Sequence, residues 1–398
     1  MESALCGPIE RLKGSDYDEL LSMLNQVFHK TAENSFEVTL PVMWERTDER
    51  VGRHLAIRRD GKIAAVVGVY PLPAEVAGER VLFGTIGNVA TLPEYRNQGL
   101  MRSLMEAALR EAEAMGMDAA RLCGLRQRYN RYGFENAGTD CQYTLTDRNL
   151  RDYYGGPPET RLSGAEGFER RLRFRRALDG DDMRFVMERH RSAPIWVDRG
   201  DQRQYMRTMT AYQNEIWLAL DQDAMVGYLT VSPDGSTVTE HRALDAQTEG
   251  RMLCEWLMHA GVPAMTFHTA PYECALNRYM GRLCEKWTVG EPNHFHIFQW
   301  DKLLNALLQI RADMGPIPPG DVTVSIEGWG CLRFAGSVCA RTEETPQLCL
   351  KPLDAVRLFL GSLPPENTAD TSGLQAQSRL YMQSLFPLPL WWCNQDRV

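Results

Sequence analysis

At 398 residues the chain exceeds a single hydrophobic core, so two or three domains are expected. Its hydrophobic and charged fractions, 44% and 24%, are those of a globular protein, and its formal net charge of −8 argues against nucleic acid or an anionic membrane as partner and suits a cationic substrate. No apolar run reaches membrane-spanning length and the first residues carry no signal-like pattern, so a cytoplasmic protein is the expectation.

In chain order, Ser15 and Asp18 resemble a capping box, followed by Leu20, Leu21, Leu24, Val27 and Phe28 at helical spacing. Residues 30–50 show no clear period. Phe36 and Trp44 in this stretch, with Phe28 before it, read either as an aromatic wall for an amine or as a loop packed on a sheet. Asp60-Gly61 is a hairpin turn between strands at 54–58 and 63–70, and Ala77-Gly78 marks another before an apolar strand at 81–92.

Pro93 ends that strand, and Glu94 to Gln98 lead into a segment with Leu100, Met101, Leu104, Met105, Ala108, Leu109, Ala112 and Met115 on one helical face. Gly99 therefore stands at a helix N-terminus, where free N–H groups and the macrodipole favour an anion and a glycine lets a pyrophosphate come close. Arg96 can add a charge-assisted bond to the same phosphates. A second apolar strand follows at 119–123, then Tyr129-Asn-Arg-Tyr-Gly133-Phe134.

Strand, Arg96-Asn-Gln-Gly99, amphipathic helix and the Tyr-x-x-x-Gly-Phe turn resemble the GNAT N-acetyltransferase superfamily. The likeness implies an acetyl-CoA-binding fold through about Leu150.

After the turn-rich stretch 153–158 the pattern recurs. Strands are expected at 172–177, 215–220, 225–231, 236–244 and 264–269. Helices are expected from 179–182 onward, at 202–213, through Leu257 and around 272–281. Asn130-Arg-Tyr returns as Asn277-Arg-Tyr (277 − 130 = 147) and Gly99 as Gly250 (250 − 99 = 151), which suggests a duplicated domain. In the second copy Asp245 and Glu249 place acidic groups towards where phosphates would lie. That copy reads as a degenerate scaffold, the alternative being a weaker second acyl-CoA site.

From Leu303 the composition changes. Helices at 303–311, 353–361 and 374–385 and short strands at 322–327, 332–334, 337–341 and 347–350 resemble a sterol-carrier-protein-like fold. His294-Phe-His296 would put two imidazoles on one strand face, but no third ligand stands at metal spacing, so no metal is expected. The ten cysteines form no Cys-x-x-Cys pair and read as small buried hydrophobes.

The fold expected is α/β, with tandem GNAT domains at 1–150 (catalytic) and 151–300 (degenerate) and a sterol-carrier-like domain at 301–398. This order resembles the enhanced intracellular survival family of bacterial acetyltransferases. The resemblance implies that Val89, Ala90 and Thr91 pair with pantetheine and that Arg96, Asn97, Gln98, Gly99, Leu100 and Met101 hold the pyrophosphate. It assigns Tyr129 as the general acid and the C-terminal carboxylate, here Val398, as the base, brought by the last domain into the first domain's cleft. Gly124 stands where a cofactor-contacting serine is often found.

The function implied is acetyl-CoA-dependent N-acetylation of a polyamine, aminoglycoside or lysine-type amine by a homo-oligomer, a hexamer in that family. Transfer of a longer acyl or aminoacyl group is the alternative, as is a non-catalytic protein binding acyl-CoA or an apolar ligand.

Overall fold

The computed structural model of the chain describes residues 7–154 and 171–396, and they fall into two compact units. The first takes the chain up to Gly138 and again from Glu291 to Leu390; the second takes Thr139–Gly290 and the segment from Trp391 onward.

In the first unit the main sheet runs Ile9–Arg11, His54–Arg59, Lys62–Val76, Glu79–Thr91, Ala119–Leu122, Asn293–Ile297, Glu135–Ala137. Its two long hairpins turn at Asp60-Gly61 and Ala77-Gly78, where all four residues have positive φ, the backbone that matches strand twist. The helix Leu100–Ala114 connects the parallel pair Glu79–Thr91 and Ala119–Leu122. It buries Leu100, Leu104, Met105, Ala108 and Ala112 as one stripe against the sheet, while Arg102 and Glu106 pair across 3.0 Å on the exposed side. Met115, expected on the buried face, is instead the exposed C-cap. The parallel pair is bonded only from Phe83–Ala119 to Thr85–Arg121; beyond Thr85 the longer strand leaves its parallel partner and stays paired with Lys62–Val76 on its other side.

A second sheet in this unit, ordered Val338–Arg341, Gly330–Ala335, Asp321–Ile326, Leu348–Leu350, is accompanied by helices Trp300–Met314, Pro352–Leu360 and Ala376–Leu385. Phe359 stands 5.3 Å from Phe334 and 4.9 Å from Phe386, ring to ring, in a core that the three share.

The second unit repeats the plan. Its sheet runs Lys286–Gly290, Asp140–Thr146, Ala264–Thr269, Thr237–Ala243, Ala224–Val231, Glu215–Asp221, Arg173–Arg176, and the helix Ala246–Ala260 again joins its parallel pair. This helix and Leu100–Ala114 start and end at one offset (246 − 100 = 146 and 260 − 114 = 146). The repeat is therefore tighter than two motifs suggested.

It also reassigns the counterpart of Gly99. Gly250 lies inside its helix, where a Cβ would come within 2.6 Å of the Tyr279 ring; its smallness serves packing. The residue at the helix start is Asp245, whose carboxylate accepts the Thr248 N–H at 2.8 Å. Glu249 does not face outward with it: its carboxylate is buried 2.6 Å from His241. The two acids thus serve the fold itself, one as a cap and one as a buried partner.

One connection was not foreseen. Asp140–Thr146, read as the end of the first copy, lies in the sheet of the second unit between Ala264–Thr269 and Lys286–Gly290. Asn293–Ile297, which falls in the stretch read as the end of the second copy, fills the sheet of the first between Ala119–Leu122 and Glu135–Ala137. Duplicated strands have similar patterns, so either suits either sheet.

The segment from Trp391 is held within the second unit. Arg199, its side chain 1% exposed, donates to Asp396 at 2.7 and 3.0 Å and to Glu240 at 2.6 and 3.2 Å. Gln395 donates to the carbonyls of Thr208 and Met209 and accepts from Thr239.

Candidate active site

A cleft of about 520 Å³ opens in the first unit and takes in the residues where the strand Glu79–Thr91 runs on past its parallel partner. Val89 and Thr91 line it from the strand, and Arg96, Asn97, Gly99, Leu100 and Met101 from the loop and helix start. Two expected contacts fall elsewhere. Ala90 is buried, on the strand face away from Thr91, and Gln98 is exposed on the loop.

The loop owes its shape to two left-handed residues, Asn97 at φ 62° and Gly99 at φ 76°. Gly99 is the N-cap and supplies no side-chain bond to the helix. The first N–H groups of Leu100–Ala114 therefore point into the cleft without an internal acceptor, a concavity suited to an anion.

Four of the lining residues are arginines, Arg96, Arg102, Arg128 and Arg131, and none is acidic. Arg102 is committed to Glu106. Arg128 and Arg131 come from the turn after Ala119–Leu122 and were missed as binding residues. The run Arg126-Gln-Arg-Tyr-Asn-Arg carried the signal, because one short turn with three arginines in a chain of net charge −8 is an anion-directed feature.

Tyr129 sits in the same turn. It is 5% exposed, with its ring so close to Gly124 that a Cβ there would approach to 2.6 Å. Gly124 thus makes room for the tyrosine. Tyr132, three residues on, lines the cleft itself. Burial pushes the Tyr129 phenol above its ordinary pKa, and the Arg128 guanidinium beside it pulls the other way.

His294 and His296 brace this turn. His294 Nε2 donates to the Gly124 carbonyl at 2.8 Å and His296 Nδ1 to the Tyr132 carbonyl at 3.0 Å, on either side of Tyr129. The two imidazoles do share one strand face, and each has a backbone carbonyl as partner. Arg126 pairs with the fully buried Glu135, and Asn130 caps the turn through the Phe134 carbonyl at 2.8 Å.

Phe28, Phe36 and Trp44 form one cluster. Phe36 lies 5.5 Å from Phe28 and 5.8 Å from Trp44, ring to ring, and Phe28 is the exposed member at 42%. Val398 lies outside the described residues.

Residues 8–137 match the family described as acetyltransferase (GNAT) domain. The first unit therefore carries a match to a GNAT acetyltransferase domain, and the chain is built from tandem GNAT-like folds.

Solved structures share the arrangement over nearly the full length. An Enterococcus faecalis protein described as a probable N-acyltransferase has TM-score 0.68 and 16% identity, covering 98% of this chain and 99% of its own. A GCN5-related N-acetyltransferase from Anabaena variabilis has TM-score 0.67 and 16% identity, covering 97% and 98%. Eis1 from Mycobacterium abscessus has TM-score 0.65 and 14% identity, covering 97% and 99%. At these identities the likeness is one of fold. No curated protein matches the chain.

Among the described residues no helix is long and apolar enough to cross a membrane.

Proposed function

We propose that the chain transfers the acetyl group of acetyl-CoA to a primary amine of polyamine, aminoglycoside or lysine type. The observation that carries this reading is the cleft, where an uncapped helix start and left-handed Gly99 meet arginines with no acidic neighbour in the lining. That donor set fits the phosphates of CoA. The free length of the strand Glu79–Thr91 beyond Thr85 leaves backbone groups with which a pantetheine amide chain can pair.

In the reaction the amine nitrogen attacks the thioester carbonyl, the C–S bond breaks, and the departing thiolate takes a proton. Tyr129 is the proposed donor. Its raised pKa keeps it protonated at neutral pH, so it is present as an acid and hydrogen-bond donor when the sulfur becomes negative. The amine's proton goes to a base, assigned by family resemblance to the carboxylate of Val398. The aromatic cluster of Phe28, Phe36 and Trp44 is the proposed acceptor wall.

The sheet and helices of residues 300–385 are read as a sterol-carrier-like domain. A cytoplasmic homo-oligomer of the enhanced intracellular survival type completes the proposal. Calorimetry with acetyl-CoA, followed by thiol release over a panel of amines and acyl-CoAs, tests it. Failure to bind acetyl-CoA overturns the reading, and preference for a long acyl chain moves it to the alternative transferase.

A further inference from the structure

Ile86 and Thr91 lie on the same face of their strand, although five positions apart. Ile86 pairs with Val69 and Thr91 with Ala65, and Ala65, Val67 and Val69 all enter the core that packs under the helix Leu100–Ala114. Strict alternation would send the two to opposite faces. The extra residue enters between Gly87 and Ala90, where Asn88 and Val89 together oppose Val67. Asn88 has a left-handed φ of 52°, the backbone of a strand bulge. This insertion alone puts Val89 and Thr91 on the face of the cleft they line.

A left-handed residue with a side chain needs something to hold it. Asn88 is held by a hydrogen-bonded chain on the opposite face of the sheet. Its amide nitrogen donates to the Tyr70 hydroxyl at 2.6 Å and lies 3.1 Å from His54 Nε2, and the Tyr70 hydroxyl lies 2.7 Å from that same nitrogen. His54 Nδ1 stands 3.0 Å from the Val51 carbonyl, which can only accept. The ring proton is therefore on Nδ1, Nε2 is an acceptor, and the tyrosine donates to it.

Donation thus runs from Asn88 through Tyr70 and His54 to Val51, with every member neutral. Burial holds the imidazole uncharged, its pKa pushed down to about 4. The ring of Tyr70 reaches across Gly68, where a Cβ would collide with the phenol, and Trp44 covers the imidazole at 5.8 Å between ring centres.

We propose that Asn88, Tyr70 and His54 are positioning residues that set the register of the cofactor-binding strand, and so decide which of its side chains and backbone groups face acyl-CoA. The inference rests on the cleft being the acyl-CoA site.

Two variants test it. Tyr70→Phe removes the middle hydroxyl and keeps the ring; Asn88→Gly leaves the left-handed backbone unstrained and removes the amide. Both are expected to weaken acetyl-CoA binding at least about tenfold by calorimetry, with the double variant little worse than either, because they break one chain. A dissociation constant within about twofold of wild type in both variants, with only Tm lowered, overturns the proposal as a purely structural role.

Amide hydrogen exchange at Val89, Ala90 and Thr91 gives a ligand-free reading. Faster exchange in both variants is expected, and unchanged exchange overturns the register lock. A wild-type chain that fails to bind acetyl-CoA while the variants still exchange faster overturns the cofactor reading and leaves the lock standing.

Discussion

Gly99 and Asp245 hold the same position in their respective units, the residue before a helix of 15 residues, and they treat its free N–H groups in opposite ways. Gly99 leaves them open, whereas Asp245 fills one with its own carboxylate and brings a negative charge to the helix start. One acetyl-CoA per chain is therefore predicted. A calorimetric stoichiometry of two would show that the second helix also takes phosphates. Asp245→Ala should cost the second unit about 1 kcal/mol, read from urea unfolding.

Gly99→Val should weaken acetyl-CoA binding at least about tenfold. A β-branched residue at φ 76° is strained, and its methyl groups would stand where the phosphates approach the helix start. Unchanged affinity would mean the loop holds no phosphate.

Arg131→Gln should weaken acetyl-CoA more than dephospho-CoA. The loop amides and Arg96 suffice for a pyrophosphate, so the arginines of the turn suit the ribose 3′-phosphate. A loss of about 3- to 30-fold for acetyl-CoA is expected, with a shallower salt dependence. Equal losses for the two ligands would assign Arg131 to the pyrophosphate instead.

Tyr129→Phe should lower kcat by about 10²–10⁴-fold and leave the Kd for acetyl-CoA nearly intact. Because burial raises the phenol's pKa above its ordinary value, its acid form persists as pH rises, so between pH 7 and about 9 this group should cause no fall in kcat. A kcat that survives the substitution would remove Tyr129 from the mechanism.

Asp396→Ala should destabilise the second unit by roughly 3 kcal/mol, because Arg199 stays buried with half its partners gone. The same cluster sets an acid limit. Burial pushes the Glu240 carboxyl up, but the charge of Arg199 more than offsets it and holds the carboxyl below the usual range. A depressed folded pKa means stability that is complete above the unfolded value, about 4.3, and is lost as pH falls through the folded one. Acid unfolding of this unit should therefore set in below about pH 4, as followed by tryptophan fluorescence.

What could be read from the sequence was what is local. The stripe from Leu100 to Ala112, the turns at Asp60-Gly61 and Ala77-Gly78, and Gly99 before the helix Leu100–Ala114 each announce themselves within a few residues. The bulge at Asn88 changes one parity inside an apolar run, and alternation is hidden where both faces are buried. Glu249 was misread because an acidic residue near a helix start can turn inward to a buried histidine as readily as it faces a ligand. Arg199 and Asp396 are 197 residues apart, a partnership no local pattern can express.

The placement of Asn293–Ile297 in the first sheet also dictates a timetable. On a ribosome the neighbours it separates, Ala119–Leu122 and Glu135–Ala137, are made long before it: Asn293 is added 293 − 137 = 156 residues after Ala137. At about 5–20 residues per second that is roughly 8–30 s during which the nascent first sheet has two open edges. Unpaired edges recruit other strands, so the growing chain passes through an aggregation-prone interval with most of its first unit already synthesised.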